Sequence, residues 1–417
     1  MNIKRDLSFL SNSQQVLCGL LEHILFNQPL EDKKNKSKDT DWIEVWYESI
    51  QQAVLVPAFL DFDVDIDNAE LYNEIIRSVK KTLFYSEINL SWHSQLHKLM
   101  FNNKIPYCIL KGAASQAYYP QRCRRMMGDV DFLVRANDVE RASKVLEMAG
   151  FKPWRQKHIC HIVFKNARAS FELHFEPAGV PNGKPGKLVK RMLDNIFDDL
   201  VEIRNDELCY MIPNDFYHGL IMLLHMQHHL LAEGIGLRHL CDWAVFVNQL
   251  YYSKDGELRF EKLFKEKLKQ IGLWDFAINV SLAAVFALGL PYQKWMGNDF
   301  ALVKPLLIDI FAGGNFGTKD KNRVAEGIFI SNRGKDGIEH SRIIQAIFTM
   351  NQASYTHWPI AKKLKFLLPF AWIYNISRRL ILICMGKRSK TNIIKAYNNS
   401  NSRRNLYKKM NLFKTDL

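Results

Sequence analysis

Gly128-Asp129-Val130-Asp131-Phe132-Leu133-Val134, residues 128–134, has a polar start followed by the alternation of a buried strand. Alternate side chains of a strand share a face. Asp129 and Asp131 therefore point to one side, while Val130, Phe132 and Val134 point into a core. Two carboxylates held that close repel by roughly 4 kcal/mol at a protein-like dielectric. A cation between them removes that cost. Mg²⁺, which binds through a few carboxylates plus substrate phosphates, is the natural candidate, with Mn²⁺ as the alternative. Upstream, the apolar run 107–110 stops at Lys111-Gly112, and sixteen residues separate that glycine turn from Asp129.

One Asp-x-Asp pair is a weak signal, and a third acid on a neighbouring strand strengthens it. Residues 159–164 and 170–175 both alternate, and the short polar segment 165–169 between them suits a hairpin. In the second strand Phe171, Leu173 and Phe175 share one face, which leaves Glu172 and His174 on the other. Glu172 can then join Asp129 and Asp131 across the sheet. In two-metal group transfer, two carboxylates clamp the ions, and a third holds one ion and helps deprotonate the attacking hydroxyl.

The set Leu110-Lys111-Gly112, Tyr118-Tyr119-Pro120, Arg125-x-x-Gly128-Asp129-Val130-Asp131-Phe132-Leu133-Val134 and Phe171-Glu172-Leu173-His174 resembles the nucleotidyltransferase superfamily of DNA polymerase β. More closely it resembles the bacterial uncharacterised nucleotidyltransferase family proteins, with a weaker echo at His225, His229, Arg238 and Asp242. The resemblance covers about residues 100–250. It implies an α+β fold, with a small mixed-sheet nucleotidyltransferase core embedded between N-terminal and C-terminal helical regions. It also implies metal ligation by Asp129, Asp131 and Glu172, and nucleotide binding by Lys111, Gly112, Arg125, Arg238 and Asp242. The reaction implied is Mg²⁺-dependent transfer of a nucleoside monophosphate from a nucleoside triphosphate such as ATP to a hydroxyl acceptor on a small molecule, a sugar or a protein. Two departures stand out: Ala113 occupies the place of the usual serine after the glycine, and the gap to the aspartates is longer. Lys111, Ser115 or Arg125 are the substitutes for the missing hydroxyl. The alternatives are a metal-dependent glycosyltransferase using Asp-x-Asp, and a non-catalytic family member serving partner or membrane association. A glycosyltransferase would carry several βα units before the pair, and here that region is mostly helical.

Other motifs have plainer readings. The acidic alternation at residues 61–67 reads as an exposed loop, with Asp67-Asn68-Ala69-Glu70 opening a helix through Leu71, Ile75, Ile76 and Val79. His158, Cys160 and His161 lie close together, but no second ligand pair at zinc spacing follows, so no structural zinc is expected. His225 and His229 share a helix face, where core or hydrogen-bonded histidines are the preferred reading. Arg238 and Asp242 sit at i, i+4, the spacing of an ordinary helix ion pair; a nucleotide contact is the sharper alternative. Of Arg122, Arg124 and Arg125, only Arg125 is assigned to phosphate. Tyr118-Tyr119-Pro120 ends the helix after Gly112.

At 417 residues, with 47% apolar content and nine tryptophans, the chain is long enough to bury two or three cores. Its seven cysteines show no paired spacing, and no secretory apolar core follows Met1, so a reducing, cytoplasmic setting is expected. The net charge of +14 is concentrated toward the C-terminus. Residues 364–385 are apolar but interrupted by Lys365, Pro369, Arg378 and Arg379, which argues against a spanning helix. Two readings stay open: an interfacial helix on an anionic membrane surface, with a peripheral location at the inner membrane, and a core helix. Nucleic acid is the less favoured partner, because aromatic and basic residues do not interleave there.

Four regions are expected: N-terminal helices over 1–100, the α/β core over 101–212, a helical domain over 213–312, and a polar loop then basic helices over 313–417. Within them the pattern predicts a long helix from 68 toward 100 with a break near Ser86, a helix over 137–150 capped by Asn137, a Gly/Pro-rich loop over 177–190 and a helix over 274–288.

Overall fold

The computed structural model describes residues 5–29, 40–60, 66, 68–120, 125–154, 160–181, 183–205, 207–320, 322–330, 341–385 and 393–412. The acidic run at 61–65 and 67, Arg122, Arg124, His158 and parts of the polar loops and basic tail lie outside the described residues.

The α+β expectation is met. The strands are β1 (Tyr107–Ile109), β2 (Val130–Val134), β3 (Lys152–Pro153), β4 (His161–Lys165), β5 (Ser170–His174), β6 (Leu200–Arg204) and β7 (Cys209–Pro213). The first five form one sheet in the order β1-β2-β5-β4-β3, and β6 and β7 pair separately. β2 and β5 are parallel, and every other pairing is antiparallel. The chain crosses from β2 toward the far edge through the helix Val139–Met148, then returns to the centre by the β4–β5 hairpin.

Strand alternation divides the sheet into two faces. Val130, Phe132, Val134, Phe171 and Leu173 pack on Leu90, Leu96 and Met100 of the helix Ala69–Asn102 and on Ala142 and Leu146. Phe132 and Phe171 are fully buried, and each contributes about 1.5–3 kcal/mol by leaving water. Leu133 packs with the larger second core, built from Asn12–Phe26, Asp215–Leu231, Leu237–Tyr251, Arg259–Ile271, Trp274–Leu288 and Val303–Gly313. The chemically interesting face thus looks toward helices rather than toward open solvent.

Several local expectations change. Ala69–Asn102 runs unbroken through Ser86. Ser86 is buried, and its hydroxyl accepts the Met127 N–H at 3.1 Å, which offsets the cost of a polar group mid-helix and fixes the segment before the aspartates. Asn68 caps this helix by accepting the Leu71 N–H. Asn137 does not cap the next helix; a 3₁₀ turn, Ala136–Asp138, leads into Val139–Met148. The second half of the supposed 177–190 loop is the helix Gly183–Leu193, whose Val189 and Leu193 are buried. Its Pro185 lies in the first turn, where a missing N–H costs nothing. Trp274–Leu288 falls where its pattern placed it.

Candidate active site

Asp131 and Glu172 sit directly opposite one another on the parallel strands β2 and β5. The apolar neighbours Val130, Phe132, Phe171 and Leu173 are buried on the other face, so packing leaves the two acids no other side to occupy. Asp131 is buried, Glu172 half-buried, and His174 lies two residues further along on the same face. One ligand atom from each of Asp131, Glu172 and His174 fits within 4.8 Å of the others. Asp129 is exposed, just ahead of β2, and is not a member of that trio. Burial and the Asp131 charge raise its pKa, against the pull of Lys165 and Lys111.

Two cations balance Asp131. Lys111 Nζ lies 3.1 Å from its Oδ1, and His174 Nε2 lies 3.1 Å from the same oxygen. Burial alone would raise the Asp131 pKa, but Lys111 and the His174 ring outweigh it and hold the carboxyl well below its usual range. Burial likewise opposes charge on His174, yet its hydrogen bond to Asp131, with Cys160 and Glu172 close by, raises its pKa to about 10. His174 Nε2 is also 3.5 Å from Glu172 Oε2. Positive charge therefore already occupies the space between the carboxylates, as the repulsion between them demands. Two carboxylates and an imidazole in this arrangement could hold a metal ion.

Gly112 follows Lys111 with φ +65° and ψ −105°, a conformation that L side chains rarely adopt. It turns the chain out of β1 into the short helix Ala113–Gln116, placing the Lys111 ammonium over the β2 carboxylate. Gln116 in that helix is fully buried, and neither side-chain amide atom has a hydrogen-bond partner.

Arg125 and Asp242, both expected at the nucleotide, are engaged with one another. Arg125 Nε and Nη2 donate to the two oxygens of Asp242 at 2.8 and 2.7 Å, and both residues are buried. Tyr119 Oη donates to Asp242 Oδ1 at 2.8 Å. The expected i, i+4 ion pair between Arg238 and Asp242 does not form, because Asp242 turns to Arg125 instead. Arg238 lies over the Phe316 ring, 5.3 Å from its centroid, with no carboxylate in ion-pair contact among the described residues. Burial and the Arg125 charge lower its pKa.

Three histidines join Arg238. His225 and His229 have ring centroids 4.3 Å apart, and His239 lies 5.6 Å from His225. Burial lowers the pKa of His225 and of His239 well below the ordinary value, and Lys111, His229 and Arg238 add to the effect in both. His229 Nδ1 is 2.8 Å from Glu233, and the buried His239 Nε2 has no partner. Core or hydrogen-bonded histidines were the preferred reading, and that description fits. What residue spacing could not reveal is that the cluster gathers around Arg238. Gln116, His239 and the partnership of His174 with Asp131 were missed. The alternation that put His174 on the Glu172 face was the available signal for the last of these.

An Asp-x-Asp strand behind a glycine turn, beside a parallel strand carrying a third acid, is the core of a nucleotidyltransferase-like protein. The model of a family described as uncharacterised nucleotidyltransferase matches residues 68–284, just over half of the chain, and the chain belongs to that family. The match extends into the helices on both sides of the sheet. Among curated proteins, none matches the chain.

Proposed function

We propose that the chain is a Mg²⁺-dependent nucleotidyltransferase that moves a nucleoside monophosphate from a nucleoside triphosphate to a hydroxyl acceptor. The observation that carries this reading is the pairing of Asp131 with Glu172 across β2 and β5, with Lys111 behind the Gly112 turn. Asp129, Asp131 and Glu172 would hold the divalent ion, which when bound supplies charge neutralisation at the phosphates. Lys111 and Arg238 offer cations to the triphosphate, and among the described residues no carboxylate is in ion-pair contact with Arg238. Arg125 and Asp242 serve the pocket by position, tying the segment before β2 to Leu237–Tyr251.

Glu172, more accessible than Asp131, orients the acceptor hydroxyl and takes its proton. A bond forms from the acceptor oxygen to the α-phosphorus, the bond from that phosphorus to the α,β-bridging oxygen breaks, and pyrophosphate leaves. Calorimetry with ATP and Mg²⁺ tests the reading. The wild-type chain should bind only with the metal present, and Asp131→Asn should lose that metal-dependent binding. Equal Mg–nucleotide binding by the Asp129→Asn/Asp131→Asn chain sinks the assignment.

The second part of the proposal is peripheral contact with an anionic membrane. Residues 341–415 contain fifteen Lys and Arg and no Asp or Glu, so the rest of the chain, with 42 basic and 43 acidic residues, is nearly neutral. Along the same segment Phe366, Phe370, Ile373, Leu380 and Ile381 are each 58–69% exposed. Exposed aliphatic and aromatic side chains on a segment with such an excess of Lys and Arg complement an anionic bilayer, whereas nucleic acid would use only the charge. Among the described residues no helix is long and apolar enough to cross a membrane.

A further inference from the structure

Beside the Asp131 and Glu172 carboxylates, the same face of the sheet carries a softer set of donors. His161 opens β4 directly across from His174 on β5, and the two ring centroids are 4.7 Å apart. Cys160 precedes that strand, with its Sγ 3.5 Å from His161 Nδ1. One donor atom from each of Cys160, His161 and His174 fits within 4.8 Å of the others. Glu172 Oε2 lies 3.9 Å from His161 Nε2. The third ligand that spacing along the chain did not supply thus arrives from the neighbouring strand.

His174 carries the argument further. Its Nε2 is placed on Asp131, while its Nδ1 is buried and makes no hydrogen bond. A buried polar atom left that way costs about 1–3 kcal/mol. Metal-ligating histidines characteristically rest one ring N–H on a carboxylate, which fixes the tautomer and frees the other nitrogen for the ion. The donors are also of the right type: thiolate and imidazole select zinc over magnesium. A third trio, His97, Glu202 and Cys209, is weaker, because Glu202 already accepts from Arg204 and from the Cys209 thiol.

The geometry points to a transition-metal site, for Zn²⁺ in preference to Mg²⁺, formed by Cys160 Sγ, His161 and His174 Nδ1, with a fourth position left to Glu172 or water. Binding releases two protons, the Cys160 thiol proton, since the thiolate is the ligand, and the Nδ1 proton of the charged His174, whose Nε2–H stays on Asp131. The ion would join the start of β4 to β5 and hold His174 against Asp131. The site goes beyond the nucleotide reading, because Cys160 takes no part in the hard-oxygen set.

The test uses the full chain, stripped of metal by a chelator and titrated with Co²⁺. Near-stoichiometric binding is expected, with visible d–d bands and a thiolate-to-cobalt charge-transfer band in the near ultraviolet. Zn²⁺ should bleach both, and excess Mg²⁺ should not. Cys160→Ser should remove the charge-transfer band while keeping the parent's far-ultraviolet circular dichroism and metal-free melting temperature, which shows that the variant is folded. Asp131→Asn should weaken Co²⁺ binding by roughly 10- to 100-fold, as loss of a carboxylate behind a ligating histidine does. Absence of the charge-transfer band, its survival in Cys160→Ser, or displacement of Co²⁺ by equimolar Mg²⁺ overturns the site. None of these outcomes depends on whether the chain binds a nucleotide.

Discussion

Arg125 and Asp242, 117 residues apart in sequence, meet as a buried two-pronged ion pair with donor–acceptor distances of 2.8 and 2.7 Å. Arg125 Nη1 also donates to the Met126 carbonyl at 2.9 Å, so most of its donors are committed. Removing one partner leaves the other charge buried and uncompensated, which typically costs about 3–5 kcal/mol. Arg125→Ala and Asp242→Ala should each lower the denaturation midpoint strongly, and Arg125→Met/Asp242→Leu should recover much of the loss. Equilibrium denaturation of the three variants checks this; a pair of near-neutral single variants would show that the bond contributes little.

Arg238 should behave in the opposite way. Its guanidinium is half-buried over Phe316 with no carboxylate in ion-pair contact among the described residues. Arg238→Ala should leave the melting temperature unchanged or raise it, while weakening nucleotide binding about tenfold or more, or ~1.4 kcal/mol. Paired thermal and calorimetric measurements would reveal a purely structural arginine if stability fell and binding held.

Gly112 adopts φ +65° and ψ −105°, so an added Cβ is strained there although it would meet nothing nearer than Met127 Sδ at 4.0 Å. Gly112→Ala should cost about 1–3 kcal/mol and displace Lys111 from Asp131. The expected readouts are a lower denaturation midpoint and weaker triphosphate binding. A fully stable, tightly binding variant would show that the turn relaxes freely.

Acidification should weaken the fold through buried histidines. Burial lowers the pKa of His93 and of His218 to about 4, against an ordinary value of 6.5. Between those values the unfolded chain binds more protons than the folded one, so stability falls as pH falls through that window. By pH 5 the loss should approach roughly 2 kcal/mol for each residue. Denaturant titrations at pH 7 and pH 5 measure it, and His93→Gln/His218→Gln should reduce the difference by the share of those two residues, leaving the part that the likewise depressed His225 and His239 contribute. An unchanged slope in that double variant would place the acid sensitivity elsewhere.

The acid-free segment gives a separate expectation. The chain should float with vesicles containing phosphatidylserine or phosphatidylglycerol and sediment away from zwitterionic ones. Added salt should weaken the association, because the cationic share is screened. Phe370→Glu/Ile373→Glu should abolish flotation with nucleotide binding intact. Salt-insensitive binding to both lipid types, or self-association lost in the same variant, would point to another apolar occupant of that face.

Much of the candidate site was legible because strand alternation is a two-residue rule. Asp131, Glu172 and His174 follow from it once Phe132, Phe171 and Leu173 are assigned to the core. The resemblance added Gly112 and Lys111, and the structure brings Lys111 onto Asp131. The bond of Arg125 to Asp242 was not legible, because local spacing offered Arg238 as the nearer partner and only tertiary packing chooses between them. The unbroken helix at Ser86 was missed for a related reason: its hydroxyl is satisfied by Met127, from a different part of the chain. Asn137 looked like a cap, but the 3₁₀ turn at Ala136–Asp138 brings the chain into the helix without one.

Direct opposition of the β2 and β5 acids also constrains how this family can diverge. Adding or deleting a single residue ahead of Glu172 in Ser170–His174 would swing Glu172 among the phenylalanines and bring an apolar side chain opposite Asp131. Drift in this strand is therefore limited to replacements, or to length changes in multiples of two, while the loops outside the sheet stay free to grow. Relatives that lengthened or shortened it by one position would keep an ordinary-looking sheet and lose the chemistry.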